Sequence, residues 1–172
     1  MKAYNPAMPI LEPNSLEFIS RGAEHTRRVG IRLGSLIGMG DVVCLVGDLG
    51  SGKTTLVRGL AAGWGSLDLV SSPSFVLVNF YRRPDGGRLY HLDAYRLSGA
   101  REAEDLDLDA MIETGSLVIE WAERIQFILP KEHLWITLRW INFEQRDMVF
   151  SARGAYYQKL LATFRKRVYG SL

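Results

Sequence analysis

The spacing of apolar residues changes period along this 172-residue chain, and each change marks a predicted strand or helix. Leu16 and Phe18 alternate with polar neighbours, which predicts a short strand. Ser20 then suits a helix cap, and Val29, Leu33, Leu36 and Ile37 share one helical face until Gly38 and Gly40 end it. Val42 to Val46 is an unbroken, largely β-branched run, the pattern of a strand buried on both faces. After a glycine-punctuated loop, Leu56, Leu60 and Ala61 return to helical spacing over Thr55 to Ala62.

Pro73 breaks the chain. Phe75 to Tyr81, the turn residues Pro84-Asp85-Gly86-Gly87 and Arg88 to Asp93 then predict an antiparallel hairpin. The acidic stretch near 100–113 reads as helix with loops, and Leu117-Val118-Ile119 as a buried strand ending at Glu120. Leu134, Ile136, Leu138 and Trp140 alternate with Trp135, Thr137 and Arg139, and Met148-Val149-Phe150 follows, predicting a second hairpin. Tyr157, Leu160, Leu161, Phe164 and Val168 line one face of a closing helix. Residues 1–14, with Pro6, Pro9 and Pro13 and no period, read as a flexible leader. Residues 15–172 read as one domain carrying a basic C-terminal helix at about 155–168.

Composition narrows the class. At 47% apolar the chain can bury one core, and 23% charged residues with a net charge of +2 fit neither a disordered acidic tail nor a polycation. No run approaches the ~18 apolar residues of a membrane span, and the start of the chain lacks a signal peptide's apolar core, so a cytoplasmic protein without membrane contact is expected. Cys44, the single cysteine, lies inside the apolar run and reads as a small core residue. Charge is uneven: residues 101–123 hold eight acids against Arg101, whereas Arg153, Lys159, Arg165, Lys166 and Arg167 face no acid after Ser151. That basic end suits RNA phosphates or an acidic partner, and a solvated helix face explains it equally well.

The chemistry concentrates in Gly47-Asp48-Leu49-Gly50-Ser51-Gly52-Lys53-Thr54, which fits GxxxxGK[ST] between a predicted buried strand and a predicted helix. Glycines let backbone N–H groups converge on phosphate oxygens, and the helix brings its positive end to the same point. Lys53 is then placed to reach the β- and γ-phosphates, and the Thr54 hydroxyl to ligate Mg²⁺. The fold expected around such a loop is α/β, a P-loop NTPase-like three-layer sandwich whose mixed central sheet has a parallel core and antiparallel hairpins. The metal also needs an acid at a neighbouring strand end, and Asp93 and Glu120 both qualify. An NKxD segment, usual for guanine selection, is absent, which favours ATP.

The P-loop through Thr55, followed by Ser72-Pro73-Ser74-Phe75, His91-Leu92-Asp93-Ala94-Tyr95-Arg96 and Glu120-Trp121, resembles in order and spacing the bacterial TsaE (YjeE) ATPase family over roughly residues 15–140. The resemblance implies an ATPase needed for threonylcarbamoyladenosine in tRNA, working with TsaD and TsaB and meeting tRNA through that complex. It implies nucleotide contacts from Asp48, Gly50, Ser51, Gly52, Lys53, Thr54, Thr55 and Trp121, and Mg²⁺ held by Thr54 and Glu120. Lys53, Glu120 and Asp93 would be the catalytic set, with Asp93 the acid for hydrolysis, and Ser72 to Phe75 a switch-like segment over the γ-phosphate. Ser51 stands where alanine is common in the family and Ser74 where threonine is usual.

Other residues stay open at this level. His91 reads as a proton carrier or as a strand histidine satisfied by hydrogen bonds, and Tyr95 and Arg96 as ligand contacts or as packing at the hairpin's end. Trp135 and Trp140 fall on opposite faces of one strand, so one is expected in the core and one exposed. The P-loop shows no obvious arginine finger of its own, so isolated turnover is expected to be slow. A small P-loop kinase and an ATP-dependent assembly factor without essential hydrolysis are the alternatives.

Overall fold

A computed structural model describes residues 13–71 and 77–170. Its seven strands are β1 (Ser15–Arg21), β2 (Val42–Val46), β3 (Val78–Arg82), β4 (Arg88–Asp93), β5 (Ser116–Glu120), β6 (His133–Trp140) and β7 (Gln145–Arg153). They form one sheet in the order β1-β7-β6-β2-β5-β4-β3. β2 is parallel to β5 and β6, and β4 is parallel to β5, while β3/β4, β6/β7 and β1/β7 pair antiparallel. The parallel core flanked by hairpins is therefore as expected around the P-loop. Its consequence is that β2, β4, β5 and β6 all deliver their C-terminal ends to one edge of the sheet, where α/β proteins bind ligands.

Helices α1 (Ala23–Gly34), α2 (Lys53–Trp64) and α5 (Ala155–Tyr169) cover one face, and the short α3 (Ala100–Glu104) and α4 (Leu108–Thr114) lie on the other. The central strands show the division residue by residue. Val43 and Leu45 pack with Val29, Leu33, Leu56 and Phe164, whereas Val42 and Cys44 pack with Leu97, Leu108 and Ile125. A strand covered on both faces has no reason to alternate apolar with polar residues, which explains the unbroken run.

α1 and α2 approach closely because glycines face each other at the crossing. A Cβ at Gly34 would stand 1.9 Å from the Leu60 carbonyl oxygen, one at Gly63 1.9 Å from that of Ile31, and one at Gly59 2.0 Å from that of Arg27. The helix after the P-loop is thus pressed against α1 backbone to backbone.

Two boundaries differ from expectation. Ser20 does not cap α1. It stays in β1, whose pairing with β7 continues to Arg21 opposite Gln145, and its buried hydroxyl lies 2.8 Å from that of Thr26. The ladder outcompetes the cap, and the turn is made by Gly22 at φ 90, a left-handed value natural to glycine. The helix also stops at Gly34, with Leu36 and Ile37 in the turn beyond it rather than on its face. Most of the leader at 1–14, and Ser72, Pro73, Ser74 and Phe75, lie outside the described residues. No helix among the described residues is long and apolar enough to cross a membrane.

Candidate functional site

β2 ends at Val46, and Gly47 to Gly52 carry the chain to the first turn of α2. Gly50 and Gly52 hold φ 78 and φ 104, so the loop curls in a way that L side chains resist. At Gly47 space decides, since a Cβ there would stand 2.2 Å from the Leu138 carbonyl oxygen. The curl turns Lys53 inward. Its ammonium donates to the carbonyls of Gly47 and Asp48, the latter at 2.9 Å, and sits 3.9 Å from the centre of the Trp121 ring. An ammonium has three N–H donors, so one remains for a ligand among the described residues. Burial pulls the Lys53 amine below its usual range, opposed by the carboxylates of Glu120, Glu123, Asp93 and Asp48.

The two acids arrive on parallel neighbours, where Asp93, last in β4, pairs directly with Glu120, last in β5. The Thr54 hydroxyl donates to Glu120 at 3.0 Å from Oε1 and 3.1 Å from Oε2. Glu120 is only 3% exposed, and His91 lies 2.9 Å from its Oε1 through Nε2. The histidine's Nδ1 is in turn 2.9 Å from the Tyr81 hydroxyl. Asp93 accepts from the Tyr95 backbone N–H at 2.9 Å, and burial raises its carboxyl above the usual range, against that hydrogen bond. Trp121 follows Glu120 with φ 59 and ψ 39, a left-handed conformation costly for a bulky side chain, and this turn lays its indole over Lys53 and 4.9 Å from the Tyr95 ring.

These groups surround a cavity of about 400 Å³ lined by Leu49, Gly50, Gly52, Lys53, Thr54, Thr55, Asp93, Tyr95, Arg96, Glu120 and Trp121. That volume lies in the range of small-molecule sites. Asp48 and Ser51 do not line it. Asp48 contributes its carbonyl to Lys53, and Ser51 is buried beneath the loop with an Oγ that has no hydrogen-bond partner among the described residues. The hard oxygen donors of Thr54 and Glu120, already side by side, suit a Mg²⁺ ion, and Asp93 is close enough along the sheet edge to act on the same ligand.

Sequence reasoning left His91, Tyr95 and Arg96 undecided. The structure joins His91 to Glu120 and puts Tyr95 and Arg96 on the cavity wall. A signal for His91 existed in the period of two, which places it on the same face of β4 as Asp93. Trp140 is 54% exposed, and Trp135 packs against the second core cluster under the Arg153 guanidinium. At the basic end, Arg165 donates to the Ser15 carbonyl at 2.6 Å, so part of that charge ties α5 to β1. Cys44 is fully buried in β2.

A family model described as threonylcarbamoyl adenosine biosynthesis protein TsaE matches residues 20–148. The tRNA threonylcarbamoyladenosine biosynthesis protein TsaE of Bacillus subtilis is 38% identical over 139 residues, 80% of this chain and 85% of its own. The protein of the same name from Treponema pallidum is 41% identical over 133 residues, 76% of this chain and 96% of its own. That of Streptomyces coelicolor is 50% identical over 99 residues, 56% and 67% respectively. The crystal structure of YdiB from Bacillus subtilis matches with a TM-score of 0.74 at 31% identity, covering 90% of this chain and 96% of that one.

Proposed function

The chain belongs to the TsaE family, and on that premise we propose that it binds and hydrolyses ATP with Mg²⁺ in support of threonylcarbamoyladenosine modification of tRNA, acting with TsaD and TsaB. The observation that carries this reading is the direct contact of Thr54 with Glu120 at the mouth of the P-loop, with Asp93 one strand away.

In this mechanism the backbone N–H groups of Gly50 to Thr55, that of Ser51 included, hold the phosphates. Lys53 turns its remaining N–H to the β- and γ-phosphates, anchored by the carbonyls of Gly47 and Asp48. Thr54 and Glu120 would hold the metal. A Mg²⁺ ion held by those two residues would supply charge compensation for the phosphates. Asp93, its carboxyl raised by burial, orients the attacking water and accepts its proton. Trp121 closes over Lys53 and restricts water on that side. Arg96, exposed on the cavity wall, adds a second cation beside Lys53 for the phosphates. The residues supply binding and alignment, so turnover alone is slow and the partner complex completes the site.

The test is ATP hydrolysis by the purified protein, alone and with TsaB and TsaD, using Lys53→Ala as control. Strong stimulation that vanishes in the variant is expected. Activity that appears only when a small-molecule acceptor is added would move the assignment to a kinase. Assembly and modification that persist over many rounds without hydrolysis would leave only the assembly role.

A further inference from the structure

The sheet divides the charge of this protein between its two faces. On one face α1 carries Arg27, Arg28 and Arg32 against Glu24, and α5 carries Lys159, Arg165, Lys166 and Arg167 with no acid. On the other, α3 and α4 carry Glu102, Glu104, Asp109 and Glu113 against Arg101. A net charge of only +2 thus conceals a molecule with a basic side and an acidic side. We propose that the α1–α5 side binds the phosphate backbone of RNA, and that the tRNA of the proposed function is the RNA concerned. The choice of tRNA rests on that function; the basic surface does not.

The surface is continuous, because contacts tie its two helices and β1 together. Arg167 of α5 donates to the Ser35 hydroxyl at the end of α1. Tyr169 of α5 and His25 of α1 both pack on the Phe18 ring of β1, at 6.2 Å and 5.1 Å. Burial, then the charges of Arg28, Arg32 and Arg21, hold the His25 imidazole below its usual range, so three guanidiniums from α1 and the end of β1 converge on one ring. Acids do little to offset them. Glu24 is shared between Arg27 at 3.0 Å and Arg28 at 3.6 Å, and Glu17 is the acid on β1.

The composition of the surface favours RNA over an acidic protein. Arginine predominates, and its planar fork matches phosphate oxygens two at a time. Arg21, Arg28, Arg32, Lys166 and Arg167 are all exposed, spread over a strand and two helices as a repeating backbone charge requires. Tyr169, 44% exposed among them, donates its hydroxyl to the Glu17 carbonyl at 2.8 Å, so its ring is held in place to stack an unpaired base. The acidic side repels the same polyanion and fixes which way the protein faces it. None of these basic residues lines the P-loop cavity, so the surface can be altered without touching the nucleotide site.

Fluorescence anisotropy of labelled tRNA, titrated with the full chain at several salt concentrations, tests the proposal, with a polyglutamate peptide as the second probe. Wild-type affinity for tRNA is expected to fall steeply with salt. The double variant Arg32→Gln, Lys166→Gln should bind tRNA more weakly and lower the slope of log affinity against log salt by about two, while Arg32→Lys with Lys166→Arg keeps the slope. Melting curves and ATP hydrolysis with TsaB and TsaD are expected to match wild type in both. An unchanged slope in the double variant, or polyglutamate bound more tightly than tRNA, overturns the RNA surface. If TsaB and TsaD stimulate hydrolysis while tRNA fails to bind, the RNA surface falls and the proposed function stands. If tRNA binds through these residues while ATP is neither bound nor hydrolysed, the proposed function falls and the surface stands.

Discussion

His91 Nε2 lies 2.9 Å from Glu120 Oε1, both side chains buried, while the Thr54 hydroxyl approaches the same carboxylate from the P-loop. A carboxylate offers only lone pairs, so the imidazole and the hydroxyl both donate to it and fix its plane. Such a partner behind a metal-binding group typically governs affinity by 10–100-fold. His91→Ala is therefore expected to raise the Mg²⁺ concentration for half-maximal nucleotide binding by roughly tenfold or more, with metal-free nucleotide binding changed little. Tyr81→Phe, which removes only the hydroxyl 2.9 Å from His91 Nδ1, should move it less in the same direction. An unaltered Mg²⁺ titration in His91→Ala would show that Glu120 needs no such support.

The role proposed for Asp93 is tested by comparing binding with hydrolysis. Its side chain accepts the Tyr95 N–H at 2.9 Å and belongs to the cavity wall, and its strand position pairs with Glu120. Asp93→Asn is expected to keep ATP affinity within a few-fold and to lower turnover in the presence of TsaB and TsaD by about 10²–10⁴. Turnover equal to wild type would remove Asp93 from the chemistry.

The α1–α2 contact predicts an inversion of an ordinary rule. Glycine inside a helix normally costs about 0.5–1 kcal/mol relative to alanine. At Gly34 the added methyl would meet the Leu60 carbonyl oxygen at 1.9 Å, and neither backbone can yield without shifting its helix. Gly34→Ala should destabilise by about 2–3 kcal/mol, lowering the melting temperature by roughly 5 °C or more for a chain of this size. A melting temperature at or above wild type would mean that the helices can part.

Cys44 supplies a pH test. Burial pushes its thiol from 9.0 up to about 12, so the folded protein keeps it neutral at pH 8 while the unfolded chain ionises it near pH 9. Stability linked to this group is complete below pH 9 and is lost as pH rises from there toward about 12, because the unfolded state releases the proton first. Thiol reagents at pH 8 are expected to leave the native protein unlabelled and to label it fully in denaturant. Fast native labelling would contradict the buried position in β2.

How far the chain was legible depended on the range of the interaction. The strand at Val42 to Val46 and the helix that follows it are local patterns, and the P-loop between them is a local motif whose chemistry follows from its residue types. Ser20 shows where local reasoning stops, since a good cap residue was held in a strand by pairing to a segment more than a hundred residues away. The same limit applied to His91, whose neighbour on its own strand was visible but whose bond to Glu120 crosses to another.

Sequence alone determined the P-loop, the two strand-end acids, the alternation of strands and helices and the resemblance to a family, because each rests on residue type and short spacing. Tertiary structure decided which acid touches Thr54, that Arg96 and Tyr95 face the cavity, that glycines set the distance between α1 and α2, and that the basic residues of α1 and α5 share one side. Those relations depend on strand order and register, which bring together residues that no local pattern connects.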